Sequence, residues 1–314
     1  MIYQTNFDYE LALEAYSKNK PHTPNQRMNN EFSYLFLWCE SKFKKVLLSE
    51  IDFDSGYLDS ISKTLGFEAK TSWIKKCDEK IENWWGKLNN ISLELELNSK
   101  IYHQKLLGSI DSKHFICGEV CSRGDFKSFG DYFFRPEYGF AGMGSFRFKD
   151  QSFIPTSGVV TPFVEKKADL SCFYRNGKLT IYINEISKTN SFHGCYVFRD
   201  DNELIKDLKR RNIDYLILRE SFEKVSNLLL KSYPNLDEFQ MDAIYTADHK
   251  CLINEINYRK SMGQIALRLL GFFPDKTRLK FHLLPYKSFR PSNKWIILTP
   301  KNYHNYQFIT AISF

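Results

Sequence analysis

Apolar residues recur along the chain with two spacings, one typical of helices and the other of strands. In Tyr57–Leu65, the residues Leu58, Ile61 and Leu65 fall three or four positions apart, which predicts a helix with one buried face. Asn30–Trp38 is apolar on both faces, so its pattern fits either a buried strand or a buried helix. Further predicted helices are Asn98–Leu107, Glu203–Arg211, Arg219–Tyr233 and Met262–Leu270, and further predicted strands are Lys45–Leu48, Val159–Phe163, Trp295–Leu298 and Gln307–Ile312.

Several pairs of apolar runs flank short turn sequences, which predicts β-hairpins. Asn176-Gly177 is the clearest turn, because this dipeptide favours the backbone conformation of a two-residue hairpin loop. The predicted pairs are Leu170–Tyr174 with Leu179–Ile183, Phe239–Tyr245 with Lys250–Ile256, and two runs within Ser128–Arg147. Hairpins alternating with helices predict an α+β architecture with antiparallel sheets, preceded by a mixed α/β region over about residues 1–97. The sequence has neither the glycine fingerprint of a dinucleotide-binding Rossmann unit nor a P-loop.

Composition and charge narrow the classes of protein. Of the 314 residues, 43% are hydrophobic and 26% are charged, which is typical of a globular chain. No apolar run reaches the roughly 20 residues of a membrane span, and Met1–Tyr16 carries acids where a signal peptide has cations, so we expect a cytoplasmic protein without a membrane partner. The charge is 44 − 37 = +7, but its densest cluster, Lys206–Arg211, fits a solvated helix face. We therefore expect no nucleic-acid partner. The net positive charge would also suit the binding of a negatively charged nucleotide.

The seven cysteines form no disulfide framework. They are odd in number and scattered, so in a cytoplasmic chain we expect reduced, mostly buried thiols. Cys117 and Cys121 are spaced C-x3-C, but no second Cys/His pair with zinc-like spacing lies nearby in the sequence. The sequence therefore gives little support for a zinc site.

Three oxygen-bearing residues lie on the predicted hairpin near the end of the chain. Asp242 precedes Glu255 by thirteen residues, and Asn257 follows two residues later. A tight turn would bring Asp242 opposite Glu255 or Asn257, and the last two share a strand face because side chains alternate. Carboxylates and amide oxygens suit Mg²⁺ bound together with phosphates. Ordinary polar groups at a strand end are the alternative interpretation.

A glycine-rich turn separates two predicted strands in Arg135–Gly144. Gly139, Gly142 and Gly144 have no Cβ, so their backbone N–H groups can approach phosphate oxygens closely. Arg135 stands at the end of the first strand, where its guanidinium could hold phosphates by two parallel hydrogen bonds. A plain hairpin with a loose turn is the alternative.

The segment after strand Val159–Phe163 is an extended connection that carries an acidic residue. Its extended backbone could bond an adenine edge, and because a proline removes one donor there, the useful amide is that of Phe163 or Val164. Glu165 or Asp169 could accept hydrogen bonds from ribose hydroxyls. Taken by itself this segment would be an ordinary linker.

Taken in their order along the chain, these segments resemble the ATP-grasp superfamily. The motif D-x12-E-x-N-x-R, formed by Asp242, Glu255, Asn257 and Arg259, is similar to that of D-alanine–D-alanine ligase-like members. The matching elements are Lys100 after a helix N-cap at Asn98 or Ser99, the glycine loop, the hinge and the acidic motif with Arg259. The resemblance implies an N-terminal α/β domain (1–97) followed by two α+β subdomains whose antiparallel sheets sandwich ATP. These are residues 98–165 with the glycine loop, and 166–314 with the metal site and a C-terminal extension.

This chain departs from the family pattern at two places. The family usually has Lys-Pro before the glycine loop, whereas this chain has Arg135-Pro136. Arginine keeps the charge but not the compact ammonium, so the phosphate geometry would differ. The family hinge often begins with glutamate, where this chain has Thr161, so backbone atoms would have to supply the contact to the adenine amino group.

The resemblance implies an ATP-dependent carboxylate–amine ligase that forms an amide or peptide bond through an acyl phosphate, using ATP and Mg²⁺, with Mn²⁺ as an alternative metal. Its substrates would be a small carboxylate and an amine, such as an amino acid or peptide, and a homodimer is an allowed assembly. The implied nucleotide-binding residues are Lys100, Arg135, Gly139, Gly142, Gly144, Ser145, Phe163, Val164, Glu165 and Asp169. The implied metal ligands are Asp242, Glu255 and Asn257. The implied catalytic residues are Arg135 and Arg259, and we expect Arg259 to lie on the same strand face as Asn257.

Two other functions fit the same sequence. A small-molecule kinase of the same fold would phosphorylate a polyol or sugar without a second acceptor. A non-catalytic nucleotide-binding module is the other alternative, although a scaffold has no need for three metal ligands. Trapping of an acyl phosphate with hydroxylamine would separate the ligase from the kinase.

Overall fold

The computed structural model describes residues 1–40, 43–54, 56–68, 70–108, 113–139, 142–187, 191–301 and 305–314. Its helices are α1 (Tyr9–Ser17), α2 (Gln26–Glu31), α3 (Tyr34–Cys39), α4 (Tyr57–Leu65), α5 (Ile91–Asn98), α6 (Lys100–Leu107), α7 (Asp201–Arg210), α8 (Tyr215–Ser232) and α9 (Met262–Leu270). The strands are β1 (Ile2–Gln4), β2 (Val46–Leu48), β3 (Ser72–Ile74), β4 (Ile81–Asn83), β5 (Glu119–Cys121), β6 (Gly124–Pro136), β7 (Phe146–Ile154), β8 (Gly158–Pro162), β9 (Lys166–Arg175), β10 (Lys178–Ile186), β11 (Phe192–Phe198), β12 (Glu238–Thr246), β13 (Cys251–Asn257), β14 (Arg278–Pro285), β15 (Ile296–Ile297) and β16 (Phe308–Ser313).

The chain divides into two compact units. Unit 1 comprises residues 1–89, 193–200 and 259–314, and unit 2 comprises residues 90–192 and 201–258. The division into three domains, residues 1–97, 98–165 and 166–314, stays a prediction. Among the described helices, none is both long and apolar enough to cross a membrane.

Unit 1 contains a parallel sheet in the order β3-β2-β1-β4. Its strands have only three residues each. The ambiguous segment Asn30–Trp38 forms parts of α2 and α3, and all six residues of α3 are buried, which explains why its sequence shows no polar face. The predicted strand at Lys45–Leu48 and the predicted helices at Tyr57–Leu65 and Met262–Leu270 are confirmed as β2, α4 and α9.

Unit 2 contains two groups of antiparallel strands. One group has the order β13-β12-β9-β10, and the other forms a sheet in the order β5-β8-β6-β7. The predicted hairpin turn is confirmed, because Asn176 and Gly177 have φ angles of 46° and 83°, the left-handed pair of a two-residue loop. The predicted α+β architecture after an N-terminal α/β region is therefore confirmed.

A small hydrophobic core packs against one face of the sheet that carries the glycine-rich turn. Phe126, Phe134, Ile154 and Val160 are buried together on one face of this sheet, and Phe146 packs against them. The opposite face carries Arg135, because side chains alternate along β6. The apolar core thus fixes the direction in which Arg135 points.

Candidate nucleotide and metal site

Lys100 begins α6 and is held at the start of the glycine-rich turn. Ser99 caps the helix, since its hydroxyl accepts a hydrogen bond from the Tyr102 amide at 3.1 Å. The same hydroxyl donates to Glu137 Oε1 at 2.5 Å, and the Lys100 amide donates to the Glu137 carbonyl at 3.3 Å. A Cβ placed on Gly139 would lie 3.5 Å from Lys100 Nζ, which is an ordinary contact distance, so the first glycine of the turn lies beside the ammonium.

Lys100 forms an ion pair with one of the predicted metal ligands. Its Nζ lies 3.1 Å from Glu255 Oε1, and the two side chains are 6% and 23% exposed. The predicted phosphate-binding cation and a predicted carboxylate ligand thus belong to one site in unit 2.

The predicted acidic triplet converges as the sequence indicated. Asp242 on β12 lies directly opposite Glu255 on β13, and Asn257 lies opposite Gln240. The Asn257 amide nitrogen donates to Asp242 Oδ2 at 2.8 Å. With its nitrogen fixed on Asp242, the Asn257 carbonyl oxygen is the end of the amide that could serve a cation.

A β-bulge brings these residues to one face. The register shifts between Asp242 and Ala243, which leaves Asn254 as the extra residue on β13. Between the turn and the bulge, Ala243 pairs with Ile253, so regular pairing would have placed Asp242 opposite Asn254. Without the bulge Glu255 would point to the other side of the strand, because side chains alternate.

Arg135 contacts the bulge. Its guanidinium donates to the Asn254 carbonyl, and the residue is only 7% exposed. Burial lowers the pKa of Arg135 from its ordinary value, and the Glu255 carboxylate opposes this shift. Arginine nevertheless stays protonated near neutral pH, because the guanidinium group is a very strong base. The site therefore contains a second buried cation.

His103 lies on α6 one turn after Lys100 and is not suited to act as a base. Burial lowers the pKa of His103 to about 4, and Lys100 and Arg135 add to that effect. The ring is 1% exposed, and its Nε2 lies 3.1 Å from the Leu97 carbonyl, which fixes the protonated nitrogen. His103 is thus a neutral, buried ring near the two cations.

The glycine-rich turn has the backbone freedom that the sequence predicted. Gly142 and Gly144 have φ angles of 78° and 74°, which residues with a Cβ rarely adopt, and the Ser145 amide donates to the Gly142 carbonyl at 3.1 Å. Within the predicted loop Gly139–Ser145, Phe140 and Ala141 lie outside the described residues. Phosphate binding by this loop remains a prediction.

The hinge residues follow β8 in the described structure. The Phe163 amide donates to the Asp131 carbonyl at 2.8 Å, so this amide is already used and Val164 is the better candidate for an adenine contact. Asp169 on β9 pairs with Lys166 at 3.0 Å. Burial raises the pKa of Asp169, and Lys166 opposes the rise. Glu165 is exposed.

Arg259 does not continue the strand that carries the metal ligands. β13 ends at Asn257, so the prediction that Arg259 shares its face is wrong. Arg259 belongs to unit 1, where its Nε donates to Glu10 and its guanidinium lies 5.5 Å from the Trp85 ring centroid. Its catalytic role stays a prediction that depends on sequence spacing.

The described residues include no group of three His, Cys, Asp or Glu side chains that could hold a metal. The candidate site has instead two carboxylates and one amide, a set of hard oxygen donors. Such a set fits Mg²⁺, which keeps several waters and takes few protein ligands. Asp242, Glu255 and Asn257 could therefore hold this ion.

Sequence reasoning missed the side chains that surround Asp242. Ser171 Oγ and Gln240 Nε2 each donate to Asp242 Oδ1 at 2.6 Å. Gln240 could have been found, because it lies two residues before Asp242 on the same strand face. Ser171 lies on β9, 71 positions away, and no local pattern indicates that β9 pairs with β12.

Comparisons with known proteins identify the fold. No protein-family model and no curated protein matches the sequence. Among solved structures, biotin carboxylase from Campylobacter jejuni in complex with β,γ-ATP superimposes with a TM-score of 0.58 at 10% identity, over 90% of this chain and 85% of that chain. A protein assigned to the ATP-grasp superfamily from Archaeoglobus fulgidus gives 0.52 at 13% identity over 99% and 98%.

N5-carboxyaminoimidazole synthetase from Staphylococcus aureus, complexed with ADP, gives a TM-score of 0.50 at 10% identity over 90% of each chain. At these identities the likeness concerns the fold. The closer resemblance to D-alanine–D-alanine ligase-like members stays a prediction. The described structure and these likenesses together show that the chain has the ATP-grasp fold.

Proposed function

We propose that this protein is an ATP-dependent carboxylate–amine ligase, which forms an amide or peptide bond through an acyl phosphate and releases ADP and phosphate. The observation that supports it is the meeting of Asp242, Glu255 and Asn257 with Lys100 in unit 2. Solved structures of the same fold contain ATP, ADP or MgADP, which supports a nucleotide as the ligand.

In this proposal the chain's cations offset the charge of the triphosphate. Lys100 and Arg135 are both buried, and a charge in a poorly hydrated site interacts more strongly with phosphate than a surface charge. Asp242, Glu255 and Asn257 would hold Mg²⁺, which when bound would neutralise phosphate oxygens and orient them. Gly139, Gly142, Gly144 and Ser145 would cover the phosphates and exclude water from the acyl phosphate.

The adenosine would lie along the hinge. Val164 would supply the backbone amide, Phe163 an apolar ring, and Glu165 or Asp169 the acceptor for ribose hydroxyls. The Arg147 guanidinium lies over the Phe163 ring, 3.7 Å from the ring centroid, and this cation–π contact restrains the ring. A restrained ring supports a contact surface that exists before the nucleotide binds.

The test is ADP release by the full chain with Mg-ATP over a panel of amino acids and small carboxylates, with and without amines. The proposal predicts acceptor-dependent ADP and, with hydroxylamine, an acyl hydroxamate. ADP release with a phosphorylated alcohol and no hydroxamate would establish a kinase instead. Arg259→Ala should reduce ADP formation greatly, and unchanged turnover would remove Arg259 from the catalytic residues.

A further inference from the structure

The carboxylate of Asp242 is held by hydrogen bonds from three sides. Two donors, Ser171 Oγ and Gln240 Nε2, bind Oδ1 at 2.6 Å each, whereas Asn257 Nδ2 binds Oδ2 at 2.8 Å. A carboxylate oxygen accepts about two hydrogen bonds in its plane, so Oδ1 is filled by its two donors. A cation at Asp242 would therefore bind through Oδ2.

Each donor on Oδ1 is itself oriented by a residue of β10. The Tyr182 hydroxyl donates to Gln240 Oε1, and this bond holds the amide with its nitrogen towards Asp242. Asn184 Nδ2 donates to Ser171 Oγ at 2.8 Å, so the single hydroxyl proton of Ser171 is directed to the carboxylate. Two hydrogen-bonded relays, Tyr182–Gln240 and Asn184–Ser171, thus connect β10 with the same carboxylate oxygen, Asp242 Oδ1.

These relays are poorly explained by stability alone. Tyr182 and Ser171 are each 1% exposed, and the hydrogen bonds of their hydroxyls offset most of the cost of burying them. The side-chain carbonyl oxygen of Asn184, in contrast, is buried and accepts no hydrogen bond from the described residues, which costs free energy. A residue that served only to fill the core would avoid that cost by being apolar.

We propose that Tyr182 and Asn184 are positioning residues for the metal ligand Asp242, acting through Gln240 and Ser171 to present Oδ2 to a divalent cation. This inference rests on the proposed function, because it requires a cation at Asp242. Residues that orient a metal ligand typically change metal affinity 10- to 100-fold when they are removed. The nucleotide itself makes no contact with them in this proposal.

The experiment measures Mn²⁺ binding by electron paramagnetic resonance on the full chain, saturated with a non-hydrolysable ATP analogue. The variants are Tyr182→Phe and Asn184→Ala, with Asp242→Asn to remove the site. Tyr174→Phe is the matched control, since Tyr174 lies on β9 and its ring stacks on Phe239 away from these relays. Calorimetry in EDTA measures analogue binding without metal.

We expect Tyr182→Phe and Asn184→Ala to weaken Mn²⁺ binding about 10- to 100-fold, with metal-free analogue binding and Tyr174→Phe unchanged within about twofold. Equal Mn²⁺ affinity in the wild type and both relay variants would overturn the inference, and so would an equal loss of metal-free analogue binding. If Tyr182→Phe does not fold, the Mn²⁺ affinity of Asn184→Ala alone decides whether the inference holds. Should the wild type bind no Mn²⁺, or Asp242→Asn bind it as tightly, the proposed metal site itself fails.

Discussion

The buried ion pair between Lys100 and Glu255 gives the sharpest test of the site's electrostatics. Two unit charges 3.1 Å apart attract by about 5 kcal/mol at an effective dielectric constant of about 20. Desolvation of a lysine side chain that is 6% exposed offsets much of that attraction. We expect Lys100→Met to lower the free energy of unfolding by about 3 kcal/mol, because the partly buried Glu255 carboxylate loses the cation with which it forms this ion pair.

A double-mutant cycle isolates the pair. Glu255→Gln removes the other charge, and in the double variant neither charge remains, so the combined loss should fall short of the sum by about 2 kcal/mol. The assay is urea unfolding followed by far-ultraviolet circular dichroism. Lys105→Met is the control on the same helix, where the lysine is exposed, and should change the unfolding free energy by less than about 0.5 kcal/mol.

The cycle has a clear negative outcome. A coupling energy below about 0.5 kcal/mol would mean that the two charges interact no more strongly than a surface pair. The same conclusion would follow if Lys100→Met behaved like Lys105→Met. Either result would refute the argument that Lys100 is held in a poorly hydrated site by Glu255.

Three further predictions concern single residues. Asp242→Asn should lower Mg²⁺-dependent ADP formation at least about 100-fold with unchanged circular dichroism, because it removes a carboxylate ligand; retained activity would contradict the assignment. Burial lowers the pKa of His103 from 6.5 to about 4, so the unfolded chain binds the proton more readily and stability should fall by about 3 kcal/mol as the pH drops from 7 to below 4. Thermal unfolding of His103→Gln should lack this part of the slope, and parallel profiles would speak against it. Gly177→Ala should cost about 1 kcal/mol in thermal unfolding, because φ is 83° there; a smaller change would show that the turn relaxes.

Local signals in the sequence were sufficient for many elements and for part of the site. The Asn176-Gly177 turn, the Ser99 cap before Lys100 and the helix α9 depend on residues close together in the chain, and all three are confirmed. Strands β1, β3 and β4 have three residues each, too few for a period of two to stand out. Their parallel pairing depends on contacts between distant segments.

The relays to Asp242 could not be predicted for the same reason. Tyr182 and Asn184 reach Asp242 only because β9 pairs with both β10 and β12. The first pairing follows from a hairpin turn, whereas the second joins segments some 70 residues apart and needs the whole core to form. Sequence reasoning therefore found the ligands along one hairpin but not the side chains that orient them across the sheet.

The convergence of Asp242 with Glu255 depends on one extra residue rather than on the hairpin itself. From the turn to Ala243 the pairing is regular, and continuing it would place Asn254 opposite Asp242 and turn Glu255 and Asn257 to the other face. The bulge at Asn254 instead places Glu255 opposite Asp242. The backbone carbonyl of Asn254 accepts a hydrogen bond from the Arg135 guanidinium. The same irregularity thus aligns two carboxylates and anchors a cation beside them. The need for a bulge comes from the register that the turn sets: with Tyr245 opposite Cys251, a spacing of thirteen residues brings Asp242 and Glu255 to one face only when one extra residue is present.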